Sequence, residues 1–109
     1  PALLFDPQVE GRIDLFGTDP PIGIMHPLDY QEITTMLPCG GRIYLYSDGV
    51  YEITTKSGDL WSWDNFAQLM REEIRKGAGQ PEAIFQDIFA LTQADRFEDD
   101  FSLLSLDFV

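Results

Sequence analysis

Asp48 and the pair Asp99-Asp100 are the residues of this sequence whose type and spacing could do chemistry. Asp48 closes the apolar stretch Arg42-Ile43-Tyr44-Leu45-Tyr46-Ser47 and is followed by Gly49-Val50-Tyr51-Glu52. Glu98-Asp99-Asp100 opens a second apolar run, Phe101-Ser102-Leu103-Leu104-Ser105-Leu106. One carboxylate cluster follows a strand and the other precedes one. If those strands are antiparallel neighbours, the end of the first and the start of the second share one edge of the sheet, and Asp48 comes beside Asp99 and Asp100. Gathered carboxylates repel one another unless protons or a cation relieve the charge, and hard oxygen donors of this kind suit magnesium or manganese. Taken singly, each cluster has a plainer reading. Asp-Gly between two apolar runs is a strong signal for a tight hairpin turn, and Glu98-Asp99-Asp100 reads equally as a solvated loop after a helix.

The remaining elements must hold those two turns together. Ala2-Leu3-Leu4-Phe5 and Arg12-Ile13-Asp14-Leu15-Phe16 are apolar runs separated by turn formers and predict a hairpin. Residues 17–27 carry three prolines and two glycines, which exclude a long helix and predict an irregular loop. His26, the single histidine, sits in that loop and reads as a surface or packing residue. Gln31–Leu37, with Ile33, Thr34 and Thr35, predicts a strand that turns at Pro38-Cys39-Gly40-Gly41 and pairs with Arg42–Tyr46.

Ser62 offers an N-cap to a helix over Trp63–Lys76, with Phe66, Leu69, Met70 and Ile74 on one apolar stripe and Gly77 as its stop. A second helix opens at Gln80-Pro81, carries Ile84, Phe85, Ile88, Phe89 and Leu91, and runs to about Ala94. Strands followed by two consecutive helices imply an α+β fold, mainly antiparallel, with the helices layered on one face of the sheet.

Composition narrows the function classes. With 109 residues the chain is one domain or a portion of one. A formal charge of −12, from 19 acidic against 7 basic residues, argues against a phosphate-backbone ligand and disfavours anionic membrane surfaces. The lone Cys39 cannot close an intramolecular disulfide, and no Cys/His spacing suggests zinc, which fits a reducing cytoplasm. No signal peptide is evident, and no apolar stretch nears the ~20 residues that span a bilayer.

The ordered series resembles a known family. A strand running into Tyr46-Ser47-Asp48-Gly49-Val50-Tyr51-Glu52, then two helices, then Asp99-Asp100-Phe101-Ser102-Leu103-Leu104, is similar to the C-terminal half of the metal-dependent serine/threonine phosphatases (PPM, protein phosphatase 2C-like). Pro1-Ala2-Leu3-Leu4, the Pro20-Pro21-Ile22-Gly23-Ile24 loop and Leu37-Pro38-Cys39-Gly40-Gly41-Arg42 match the bacterial branch typified by the stage II sporulation phosphatase and the phosphatases that control sigma factors. The resemblance covers essentially the whole chain.

It implies an α-β-β-α sandwich in which two Mn2+ or Mg2+ ions activate a water for in-line attack on phosphoserine or phosphothreonine. Under it, Asp48 and Asp99 are metal ligands, Asp100 orients them from behind, Gly49 supplies the backbone shape beside the metal, and Glu52 is an outer-shell candidate. Ser47 and Ser102 read as turn and strand residues that bond backbone; no base accompanies either, so neither is a nucleophile. The implied partner is a phosphorylated regulatory protein such as an anti-sigma-factor antagonist.

The resemblance also implies what residues 1–109 lack. The family's bridging aspartate lies in the N-terminal half of the domain, and Asp6 and Asp14 have no Gly-Asp pair that could replace it. The chain is therefore expected to be the C-terminal portion of one domain, drawn from a phosphoprotein phosphatase but inactive alone, and to associate with the missing half or with another copy of itself. The alternative from another class is a non-catalytic, phosphatase-like module that binds partners or dimerises in a signalling protein.

Overall fold

Four short strands build a single sheet, and a computed structural model describes the chain over residues 1–9, 12–14, 30–93 and 96–109. The strands are β1 (Ala2–Phe5), β2 (Arg12–Asp14), β3 (Arg42–Tyr46) and β4 (Leu103–Asp107). They lie in the order β2-β1-β3-β4, every neighbour antiparallel. The two helices, α1 (Trp63–Arg75) and α2 (Pro81–Leu91), come consecutively before β4. This is the expected α+β arrangement, and the β1–β2 hairpin is as expected across Leu3↔Asp14 and Phe5↔Arg12. Residues 17–27 with His26, and Leu15 and Phe16 of the expected second strand, lie outside the described residues.

One face of the sheet makes the core. Leu3, Phe5, Tyr44 and Tyr46 are buried, and they pack in one cluster with Phe66 and Met70 of α1 and Ile84 and Ile88 of α2. Period-2 alternation puts Tyr44 and Tyr46 on the helix side, while Ile43 and Leu45 face the other way. The Phe5 and Tyr44 rings meet edge to face at 5.8 Å. The Tyr44 hydroxyl donates to the Gly79 carbonyl in the connection between the helices, which fixes that corner onto β3. Burial pushes the Tyr44 phenol above its ordinary pKa, so it stays a donor.

Local signals set the helix ends. Ser62 and Asn65 form a reciprocal capping box: the Asn65 amide donates to Ser62 Oγ at 3.3 Å, and the Ser62 amide donates to Asn65 Oδ1 at 3.0 Å. At the other end Gly77, with φ +79°, closes α1 by donating to Ile74 O, while the Ala78 amide donates to Glu73 O. That pair of bonds is the Schellman stop for which glycine is suited. Helix α2 ends at Leu91 rather than near Ala94, because Thr92 leaves the helical path to bridge Thr55.

One expected strand is absent. Residues 31–37 form no strand, and apart from the turn at Pro38–Gly41 they contribute nothing to the sheet. Both edges of β3 are already occupied, by β1 through Ala2↔Leu45 and by β4 through Leu45↔Leu104. The β-branched run at Ile33-Thr34-Thr35 is exposed and finds no free edge on β3, the strand it was expected to join. What positions Asp48 is the β1–β3–β4 ladder, not a local hairpin.

Candidate active site

The register of β3 and β4 sets the geometry. Tyr46 pairs with Leu103, so the residues after β3 and before β4 emerge at the same sheet edge. There Asp48–Val50 forms a single 3-10 turn, with the Tyr51 and Glu52 amides donating to Asp48 O at 3.1 and 3.0 Å. The juxtaposition expected from antiparallel pairing is present, and the Asp48-Gly49 turn packs directly on the Asp99-Asp100 backbone.

Gly49 makes that contact possible. A Cβ at this position would lie 2.0 Å from Asp100 O and 3.4 Å from Asp99 C. Gly49 is not among the glycines with positive φ, so its role at this turn is close approach rather than an unusual backbone conformation.

Ser47 ties the two turns together. Its amide donates to Ser102 O at 3.0 Å, its hydroxyl donates to Asp100 O at 3.0 Å, and the Ser102 amide donates back to Ser47 Oγ at 3.0 Å. The sequence reading of Ser47 as a residue that bonds backbone holds, with the addition that it bonds the opposite turn. Both acidic turns thereby become one unit at the end of the β3–β4 ladder.

Each aspartate has one oxygen fixed by its own turn. The Tyr51 hydroxyl donates to Asp48 Oδ1 at 3.0 Å, and the Asp100 amide donates to Asp99 Oδ1 at 2.7 Å. Burial first, and the bond to Asp48 second, push the Tyr51 phenol up to about 12. It is therefore neutral and donating throughout the physiological range. A phenol whose folded pKa is raised contributes stability below its ordinary value of ~10 and loses it as pH climbs through the folded value.

Tyr51 escaped the sequence reading, although it stands three residues past Asp48 on the same turn. A second support was also missed. Phe97 and Phe101 bracket Glu98-Asp99-Asp100 and stack into α2: Phe85 lies 5.4 Å from Phe97 and 5.1 Å from Phe101, and those two rings are 4.7 Å apart. The i, i+4 aromatic spacing around an acidic triplet was the available signal. Glu52 is exposed, and only its backbone amide is engaged with Asp48.

The donors fit a hard divalent cation in kind, being carboxylate oxygens held one atom each by neighbouring N–H or O–H groups. In number they fall short, since no group of three or more His, Cys, Asp or Glu side chains is placed to hold an ion among the described residues. The family model described as stage II sporulation protein E matches residues 1–109, the full length of the chain. The chain belongs to the stage II sporulation protein E family. No curated protein and no solved structure matches it. Stage II sporulation protein E is a PPM-type phosphatase family, whose members generally use Mn2+ or Mg2+, and the sequence resemblance to that branch is thus correct. Among the described residues, no helix of this stage II sporulation protein E family member is long and apolar enough to cross a membrane.

Proposed function

We propose that this chain contributes half of a two-metal phosphatase centre that hydrolyses phosphoserine or phosphothreonine on a cytoplasmic regulatory protein, an anti-sigma-factor antagonist being the kind of substrate that fits. The observation that carries the reading is the packing of Gly49 against the Asp100 backbone, which brings the turns that carry Asp48 and Asp99 together at one edge. Asp48 and Asp99 would hold Mn2+ or Mg2+, and Asp100 and Glu52 would orient them from the outer shell. When bound, the ions would supply charge neutralisation at the phosphoryl oxygens and activation of water. The Tyr51 hydroxyl engages Asp48 Oδ1 and the Asp100 amide engages Asp99 Oδ1, so one oxygen of each carboxylate is held by its own turn. Two carboxylates alone leave most coordination positions to other donors, so the reading includes further ligands from an N-terminal half of the same domain.

The back of the sheet supports that last point. Leu45, Leu104 and Leu106 share the face away from the helices and are 41%, 53% and 44% exposed. An apolar sheet face of this kind calls for a second layer, as in an α-β-β-α sandwich. On its own the chain should self-associate through this face. Sedimentation should show dimers or larger species that Leu104→Lys disperses; a monodisperse monomer before the substitution would count against it.

The functional reading is tested by manganese-dependent hydrolysis of a phosphopeptide in a protein carrying the complete domain, comparing the parent with Asp48→Asn and Asp99→Asn. Both substitutions should abolish the manganese-dependent rate. Activity that survives both would sink the site assignment.

A further inference from the structure

The sheet edge opposite Asp48 and Asp99 carries a cavity of about 840 Å³, where β3 begins and β4 ends. Its walls include Phe5, Ile74 and Phe108, and three arginines line it: Arg42, Arg71 and Arg75. The chain has only 7 basic residues against 19 acidic ones, so close to half of its positive charge borders one concavity. Arg71 and Arg75 stand four residues apart on α1, which puts them on one face of the helix.

Three arginines there face two side-chain carboxylates, Asp6 and Asp107. Asp107 is bonded by Arg42, and Asp6 Oδ1 accepts from the Gln8 amide at 2.9 Å, so both side-chain carboxylates that line the cavity are engaged. Arg71 and Arg75 are exposed and make no ion pair with any carboxylate among the described residues. Arg42 is fixed further by donating to Tyr44 OH and Gly79 O, each at 3.1 Å. Two free guanidiniums therefore sit beside an apolar wall anchored to the core.

We infer that this cavity binds a small organic anion, with a phosphate or carboxylate group on Arg71 and Arg75 and an apolar body against Phe5, Ile74 and Phe108. The volume lies within the ~300–1,000 Å³ usual for small-molecule sites, and guanidinium forks suit planar bidentate contact with such head groups. An acidic protein partner is disfavoured, because a broad interface would bring it against a chain of net charge −12. A small anion inside the cavity feels chiefly the nearest charges, three arginines against Asp6 and Asp107, since salt screens those beyond ~8 Å. The site is separate from the Asp48 and Asp99 turns and stands or falls without them.

The test is titration of the full chain with phenylphosphonate, in buffer freed of divalent ions beforehand on a chelating resin, followed by amide chemical shifts. Saturable shifts should centre on α1 near Arg71 and Arg75 and on Phe108. Arg71→Gln/Arg75→Gln should weaken binding at least ~10-fold, the loss of about 1.4 kcal/mol, while Arg96→Gln, an exposed arginine outside the cavity, should leave it unchanged. Inorganic phosphate should bind more weakly than phenylphosphonate. No saturation, shifts centred on Asp48 or Asp99, insensitivity to the double substitution, equal affinity for inorganic phosphate, or tighter binding of an oligoglutamate peptide would each overturn the assignment.

Discussion

Phe66→Ala should lower the unfolding free energy by ~3–5 kcal/mol, the range for truncating a buried phenylalanine. Phe66 is fully buried in α1, with its ring 5.0 Å from Tyr46 and 6.2 Å from Tyr51. It packs the first turns of α1 onto the end of β3 and onto the tyrosine that holds Asp48. The loss therefore combines apolar transfer, an unfilled cavity and two aromatic contacts. Denaturant titration measures it, with Leu60→Ala as the contrast: Leu60 is 82% exposed, and its truncation should stay within ~0.5 kcal/mol. Equal effects at the two positions would mean that α1 does not dock on β3 as described.

Gly49→Ala should cost about 3 kcal/mol, the upper part of the range for overpacking. The added methyl would sit 2.0 Å from a backbone carbonyl, and the atom in the way cannot swing aside as a flexible side chain would. Either the Asp48 turn or the Asp99-Asp100 turn must move, and the Ser47 bonds to Asp100 O and Ser102 N stretch with it. The prediction is checked by the same titration together with amide shifts at Asp99, Asp100 and Ser102. A loss below ~0.5 kcal/mol with unmoved shifts at those residues would show that the two turns do not touch.

Much of this was legible in the sequence, for identifiable reasons. The helices could be read because their signals are local: the Ser62 cap, the Phe66 and Met70 stripe, Pro81 at the first turn and Gly77 at the stop. The contact of the Asp48-Gly49 turn with the Asp99-Asp100 backbone followed from assuming one antiparallel pair, β3 with β4, joined across more than 50 residues. The false strand at Gln31–Leu37 shows the limit of the same method. Strand propensity says what can pair, but an edge is a shared resource, and β1 and β4 had taken both edges of β3. Tyr51 and Phe97 were missed although both signals are local: a tyrosine three residues past Asp48 and a phenylalanine pair four apart around Glu98-Asp99-Asp100 look in sequence like ordinary aromatic core positions.

The stage II sporulation protein E family assignment and the site geometry make different demands on this chain. The family supplies the expectation of metal-dependent phosphatase chemistry. The geometry supplies something narrower: two carboxylates on turns that touch, each with one oxygen fixed by its own turn. Whether the two act on one cation is the central claim. Paramagnetic broadening by Mn2+ tests it directly on the chain itself. Low Mn2+ should broaden the amides of Asp48-Gly49 and Asp99-Asp100 together, and either Asp48→Asn or Asp99→Asn should remove the broadening from both turns. Broadening confined to one turn, or unchanged at either turn after the opposite substitution, would contradict a shared site.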